Sequence, residues 1–159
     1  MIINGSDLLY RAPIKGMINE KRREHGVSWG LSEAGYDIRI KQDIFFDTPD
    51  VWVGGMQIHN SNFCLASAIE EFQMPTNLVG IVHDKSTWAR QGLSVFNTVI
   101  ENGWCGFLTL ELVHHGNGGL HIPAGAGIAQ VVFHETSRIA SYDGKYQNQP
   151  DRPVEAIAR

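Results

Sequence analysis

The stretch Asp84–Leu112, DKSTWARQGLSVFNTVIENGWCGFLTLEL, holds most of the fold information in this chain. Its last third sets the class. From Phe107 to Val113 the residues alternate, with Leu108, Leu110 and Leu112 on one face and Phe107, Thr109, Glu111 and Val113 on the other. A period of two is that of a β-strand with one face against a core. Glu111 then stands between Thr109 and Val113 on the second face, a poor place for a solvated charge. Partial burial there raises a carboxyl pKa and makes the group a usable proton carrier. An exposed sheet face would leave it an ordinary surface acid, and spacing alone does not choose between the two.

The first third reads as a short helix. Ser86 is the expected N-cap of Thr87–Gln91, and Gly92 closes the turn. A helix start presents unpaired N–H groups and partial positive charge, which suits phosphate. Lys85 and Arg90 add positive charge, and Ser86 and Arg90, four apart, share one helical face. A capped surface turn with solvated charges fits the same residues.

Outward from this stretch, 159 residues predict one domain, 1–159, with a real core. A hydrophobic content of 43% and a charged content of 19% are those of a soluble globular chain. A net charge of −4 and a pI near 5.9 argue against nucleic acid as partner, so any anion site must be local. No apolar run approaches the length of a membrane span and no signal peptide opens the chain, so a cytoplasmic protein is expected. Cys64 and Cys105 read as reduced core thiols.

Residues 1–34 read as an N-terminal arm, with a helix over Asp7–Arg11 capped by Ser6 and stopped by Pro13. The charge run Glu20–His25 reads as a solvated turn. Strands are predicted over 34–40, 44–46, 51–53, 57–59, 63–66, 78–83 and 128–134, with a turn at Gly54-Gly55 and a loose one at 114–119. Many short strands with regular turn signals point to an all-β body, a distorted barrel or jelly roll. The tail from Ser137 lacks apolar periodicity. It is either a disordered end or a segment that orders over a ligand, because Tyr142, Lys145, Tyr146 and Gln149 offer groups for a base and phosphates.

Other chemistries find no support. Among the seven histidines only His114 and His115 are adjacent, and neighbours on a strand face opposite ways, so joint metal ligation is not expected. There is no C-x-x-C and no zinc-deaminase signature. G-x-S-x-G, a P-loop lysine and a dinucleotide glycine pattern are also missing.

Five motifs in order, AGYDIRI (34–40), LVGIVHDKSTWARQGL (78–93), VIENGWCGFLTLEL (99–112), IPAGAGIAQVVF (122–133) and SYDGKYQNQ (141–149), resemble those of the dCTP deaminases, members of the dUTPase-like superfamily. The resemblance implies a dUTPase-like, β-clip protomer with short N-terminal helices. It also implies a homotrimer with active sites between subunits, and a tail, 137–159, that closes over the ligand. The catalytic carboxylate falls on Glu111. Triphosphate and water contacts fall on Lys85, Ser86, Thr87 and Arg90, with Ser86 and Arg90 nearest the chemistry. Thr98 and Val99 fall on the loop that contacts the base, Thr109 among the substrate contacts, Glu101 on the sugar contact, and Tyr142, Lys145 and Gln149 on the tail contacts. Mg²⁺ would ride on the triphosphate, with no metal held by protein and no zinc.

The implied activity is hydrolytic deamination of dCTP to dUTP and ammonia, cleavage of a cyclic amidine C–N bond. Without zinc, one carboxylate can take the proton from water and deliver it, so Glu111 is the expected shuttle. Ser86 and a carbonyl of the Phe96–Val99 loop would orient the water, and Arg90 would hold Glu111. The sequence also departs from the family pattern. The SVFNTV loop is shorter than usual, Asn97 stands where an apolar residue is expected, and Glu101 replaces Asp. These differences leave open a modified cytosine nucleotide or dCMP as substrate. They also leave open a dUTPase or bifunctional activity releasing dUMP and pyrophosphate, and a catalytically altered nucleotide-binding regulator.

Overall fold

A computed structural model describes residues 1–46, 51–53, 56–58 and 62–158. In chain order its elements are β1 (Ile2–Ile3), α1 (Gly5–Arg11), β2 (Lys21–Glu24), β3 (Val27–Leu31), β4 (Tyr36–Arg39) and β5 (Ile44–Phe46). Next come β6 (Val51–Val53), β7 (Met56–Ile58), β8 (Phe63–Gln73), β9 (Leu78–Asp84), α2 (Ser86–Ala89), β10 (Leu93–Val95), β11 (Val99–Ile100), β12 (Cys105–His114), β13 (Leu120–Ile122) and β14 (Gly127–Glu135).

The larger sheet runs β11-β9-β14-β4-β3-β2, with β1 also on β14. A three-stranded sheet runs β10-β12-β8, and β13-β5 and β6-β7 form two pairs. The fold is mostly β, as the strand spacing predicts; the described strands do not close into one continuous barrel. Apolar faces of the sheets meet in a cluster that includes Ile38, Phe72, Leu110, Leu112, Ile122 and Phe133, all essentially buried. Burying each large apolar side chain is worth roughly 1.5–3 kcal/mol relative to exposure, so this cluster is what sets the strand registers.

Several sequence expectations are corrected. The charge run is a strand: Lys21–Glu24 pairs with residues 27–30 of β3, from Lys21 opposite Gly30 to Glu24 opposite Val27. The turn between them places His25 and Gly26 at φ 50° and 77°, the left-handed pair that a tight hairpin requires. Strand β8 extends to Gln73, well past Ala66, because Glu70 is buried against Arg39, whose Nε lies 2.9 Å from Oε1. The first helix starts at Gly5, with Asn4 rather than Ser6 at the N-cap position and no side-chain capping bond. The predicted glycine turn at 54–55 and His59 lie outside the described residues.

Candidate active site

Strand β12 is the inner strand of its sheet. It pairs with β8 on one side and with β10 on the other. Leu110 and Leu112 face the core, so Glu111, opposite Leu65 on β8, faces away from it and is half-buried. Its Oε2 accepts a hydrogen bond from Thr98 Oγ1 at 3.3 Å, and its backbone carbonyl accepts from Phe96 N at 3.0 Å. The loop before β11 is thereby tied to the strand that carries the acid. A register shift between Phe107 and Thr109 interrupts the strict alternation expected from the sequence. Leu108 and Thr109 consequently both line the cavity into which Glu111 points.

That cavity has a volume of about 600 Å³. Leu65, Trp104 and Leu108 give it apolar walls; Thr98, Thr109, Gln149, Tyr142 and Tyr146 supply polar atoms. Its charged residues are Glu101, Glu111 and Glu155, and among the described residues that line it none is basic. A few polar groups converging in an apolar hollow are the usual form of a small-molecule site.

The tail is ordered on its own chain. Tyr142 N donates to Asn102 O at 2.8 Å, Asn148 N to Cys105 O at 3.0 Å, and Phe107 N to Gln149 O at 3.1 Å. Side chains reinforce these bonds: Trp104 Nε1 donates to Tyr146 O at 2.6 Å, and Cys105 N donates to Gln147 Oε1 at 2.8 Å. Gly106 makes the approach possible. Its φ is 129°, and a Cβ there would lie 2.5 Å from Gln149 N. Further on, Val154 N donates to Thr109 Oγ1 at 3.1 Å, and Val154, Glu155 and Ala156 form part of the cavity wall. Of the expected tail contacts, Tyr142 and Gln149 face the cavity. Lys145 does not line it; its ammonium donates to Ile157 O and sits 5.1 Å from the Tyr146 ring centroid.

The α2 turn stands apart from this cavity. It is shorter than expected, ending at Ala89, and its N-cap is Lys85, with no side-chain cap; Ser86 is its first helical residue. Four residues are too few to hold a helix alone. The surrounding structure pins it: Trp88 Nε1 donates to Gly127 O at 2.7 Å, His114 Nε2 lies 3.1 Å from Gln91 O, and Asp84 Oδ1 accepts from Val95 N at 2.7 Å. Ser86, Thr87 and Arg90 are exposed and do not line the cavity. The expected Arg90–Glu111 contact is not made within the chain; among the described residues the hydrogen-bond partner of the Glu111 carboxylate is Thr98. Lys85 points inward, its ammonium paired with the buried carboxylate of Asp37.

Thr98, Val99, Glu101, Thr109 and Glu111 therefore converge, joined by Tyr142 and Gln149. Lys85, Ser86, Thr87, Arg90 and Lys145 lie elsewhere on the protomer surface or beneath it. Tyr146, which the sequence offers as a tail contact, also lines the cavity; residues not foreseen as site residues are Phe63, Leu65, Leu108 and the Val154–Ala156 segment. Among the described residues no group of three or more His, Cys, Asp or Glu could hold a metal ion, and no helix is long and apolar enough to cross a membrane.

Comparison with known proteins follows the same lines. A dCTP deaminase-like family model matches residues 39–136. A dCTP deaminase of Roseiflexus castenholzii is 35% identical over 86% of this chain and 86% of its own length. A dCTP deaminase of Chlamydia pneumoniae is 34% identical over 88% of this chain and 85% of its own length. Among solved structures, the native EIAV dUTPase aligns over 91% of this chain and 97% of its own, with a TM-score of 0.54 at 20% identity. The dCTP deaminase of Agrobacterium tumefaciens aligns over 84% of this chain and 48% of its own, with a TM-score of 0.56 at 14% identity. These two likenesses are of fold. With the family model covering more than half of its length and relatives above 30% identity over most of it, this chain belongs to the dCTP deaminase-like family.

Proposed function

We propose that this protein hydrolyses dCTP to dUTP and ammonia, with Glu111 as the proton shuttle. The observation that carries this reading is Glu111 itself, half-buried in an apolar-walled cavity and held by the Thr98 hydroxyl. Water adds to C4 of the cytosine ring, and Glu111 takes one of its protons and delivers it to N3. The C4–N4 bond then breaks, N4 takes up a proton through the same carboxyl, and ammonia leaves. A single carboxylate at hydrogen-bond reach can serve both transfers. Carbonyls of the Phe96–Val99 loop are candidates to orient the water, since the Phe96 carbonyl already lies 3.4 Å from Thr98 Oγ1.

A cavity whose charged groups are three carboxylates is a poor site for a triphosphate on its own, because like charges repel strongly away from bulk water. The cations of the α2 segment are the natural complement. They do not reach the cavity within one protomer, so the active unit is a closed homo-oligomer, a trimer as in the family pattern. There Ser86, Thr87 and Arg90 of one copy face Glu111 of the next. Mg²⁺ enters as part of the substrate, on phosphate oxygens. Tyr142, Gln149 and the rest of the tail, residues 137–159, close over the nucleotide within a single domain, 1–159. The setting is the cytoplasmic nucleotide pool.

One observation favours a second reading. Glu101 lines the same cavity and could activate water toward the α-phosphate, releasing dUMP and pyrophosphate. Incubating the protein with Mg²⁺ and dCTP, dUTP or dCMP, and resolving products by ion exchange, separates the two. The expected result is dUTP and ammonia from dCTP, with dUTP stable. Pyrophosphate release from dUTP favours the second reading; nucleotide binding with no product overturns both.

A further inference from the structure

Lys85 is the cation nearest the start of the α2 turn, yet its side chain is only 12% exposed and that of its partner Asp37 only 4%. The pair is built across three neighbouring strands. Asp37 lies on β4, opposite Gln130 on β14, and β14 in turn pairs with β9, which ends one residue before Lys85. Gln130 Nε2 donates to Asp37 Oδ1 at 3.3 Å and to Ser32 Oγ at 2.8 Å, while Ser28 Oγ donates to Asp37 Oδ2 at 3.3 Å. The Lys85 stem passes Gly127, where a Cβ would lie 3.5 Å from Cε and would collide with Ser28 O. The backbone of the same lysine opens the turn: its carbonyl accepts from Trp88 N and Ala89 N, both at 3.0 Å.

We infer that Lys85 and Asp37 are a positioning pair that sets the α2 turn from beneath, rather than Lys85 being a phosphate contact. If the Lys85 ammonium left for a phosphate, the Asp37 carboxylate would stay buried with only neutral donors, a costly state for an ion. Arg90 has no such tie: it is exposed and has no carboxylate partner among the described residues. This assignment rests on the deaminase reading above for its kinetic consequence, but its structural consequence does not.

The test compares Asp37→Asn, Lys85→Met and the double variant with the wild-type oligomer, using Mg²⁺ and dCTP. Each single variant is expected to lower kcat by roughly 10²-fold, the usual penalty for a misplaced catalytic segment. KM should stay within about threefold of wild type, since no substrate contact is lost. The double variant should be no worse than either single one, because both remove the same interaction. In parallel, amide hydrogen exchange over residues 86–92 should become faster in all three variants.

A Lys85→Met protein with raised KM and unchanged kcat, beside an Asp37→Asn protein that behaves as wild type, would overturn the inference. So would losses that multiply in the double variant. Should an unpaired buried charge keep the single variants from folding, the double variant decides alone. Low kcat at unchanged KM supports the pair as positioning residues, and wild-type kcat refutes it. If the wild-type protein releases no ammonia, the deaminase reading fails. Hydrogen exchange then decides the pair: unchanged protection over 86–92 refutes it.

Discussion

The α2 turn and strand β12 belong to one continuous stretch of 29 residues, Asp84–Leu112, and they face opposite problems. Strand β12 is bonded on both edges, buries its leucines and holds one half-buried carboxylate toward a cavity. The α2 turn is four residues long, pinned from below through Trp88 and Lys85, and turns Ser86, Thr87 and Arg90 to solvent. Among the described residues, the acid-lined cavity has no cation in its wall, and exposed Arg90 has no carboxylate partner. The comparison teaches that a chain can be fully folded and still present its candidate chemistry as two separate surfaces, which the proposed oligomer would bring together.

The strongest way to break the comparison is at the carboxylate. Glu111→Gln is isosteric and should lower ammonia release by roughly 10³-fold, within the range for a lost general acid–base, with little change in melting temperature. Activity within tenfold of wild type would move the proton carrier elsewhere. Arg90→Ala should lower kcat/KM for dCTP by about 10²-fold, the scale for losing one donor to developing or substrate charge. Its circular dichroism should be unchanged, because the exposed side chain supports no core contact.

Smaller effects sharpen the cavity side. Gly106→Ala puts a Cβ 2.5 Å from Gln149 N at a φ of 129°, so the tail should part from β12. KM for dCTP should then rise about tenfold, equivalent to roughly 1.4 kcal/mol, and trypsin should cut faster at Lys145. Thr98→Val removes the 3.3 Å hydrogen bond to Glu111. About 1 kcal/mol is expected, and hence about a fivefold loss in kcat, measured by steady-state ammonia release.

Strands β9, β12 and β14 were readable in the sequence because each buries one apolar face or an apolar run, and that periodicity survives in the residues. The hairpin β2–β3 was not, because all four residues of β2 are exposed and charged, so no buried face marks it. Its only local signal is the His25-Gly26 turn. Strand β8 was cut short because Glu70 breaks its apolar run; what buries it is Arg39, 31 residues earlier. The tail escaped periodicity arguments because it docks by single hydrogen bonds, such as Trp104 Nε1 to Tyr146 O, rather than by a packed face. At the site, Glu111 and Thr98 were legible from strand alternation and motif. The inward turn of Lys85 was not, because Asp37 lies 48 residues away and only the strand order brings it near.

The central claim is that one copy supplies Glu111 and another supplies Arg90. Mixing Glu111→Gln protein with Arg90→Ala protein, after reversible dissociation, tests it directly. In randomly mixed closed rings about one quarter of the sites would combine an intact Glu111 with an intact Arg90. The account predicts that the inactive pair regains about a quarter of wild-type ammonia release. Mixed oligomers that form but stay as inactive as their parents would contradict it.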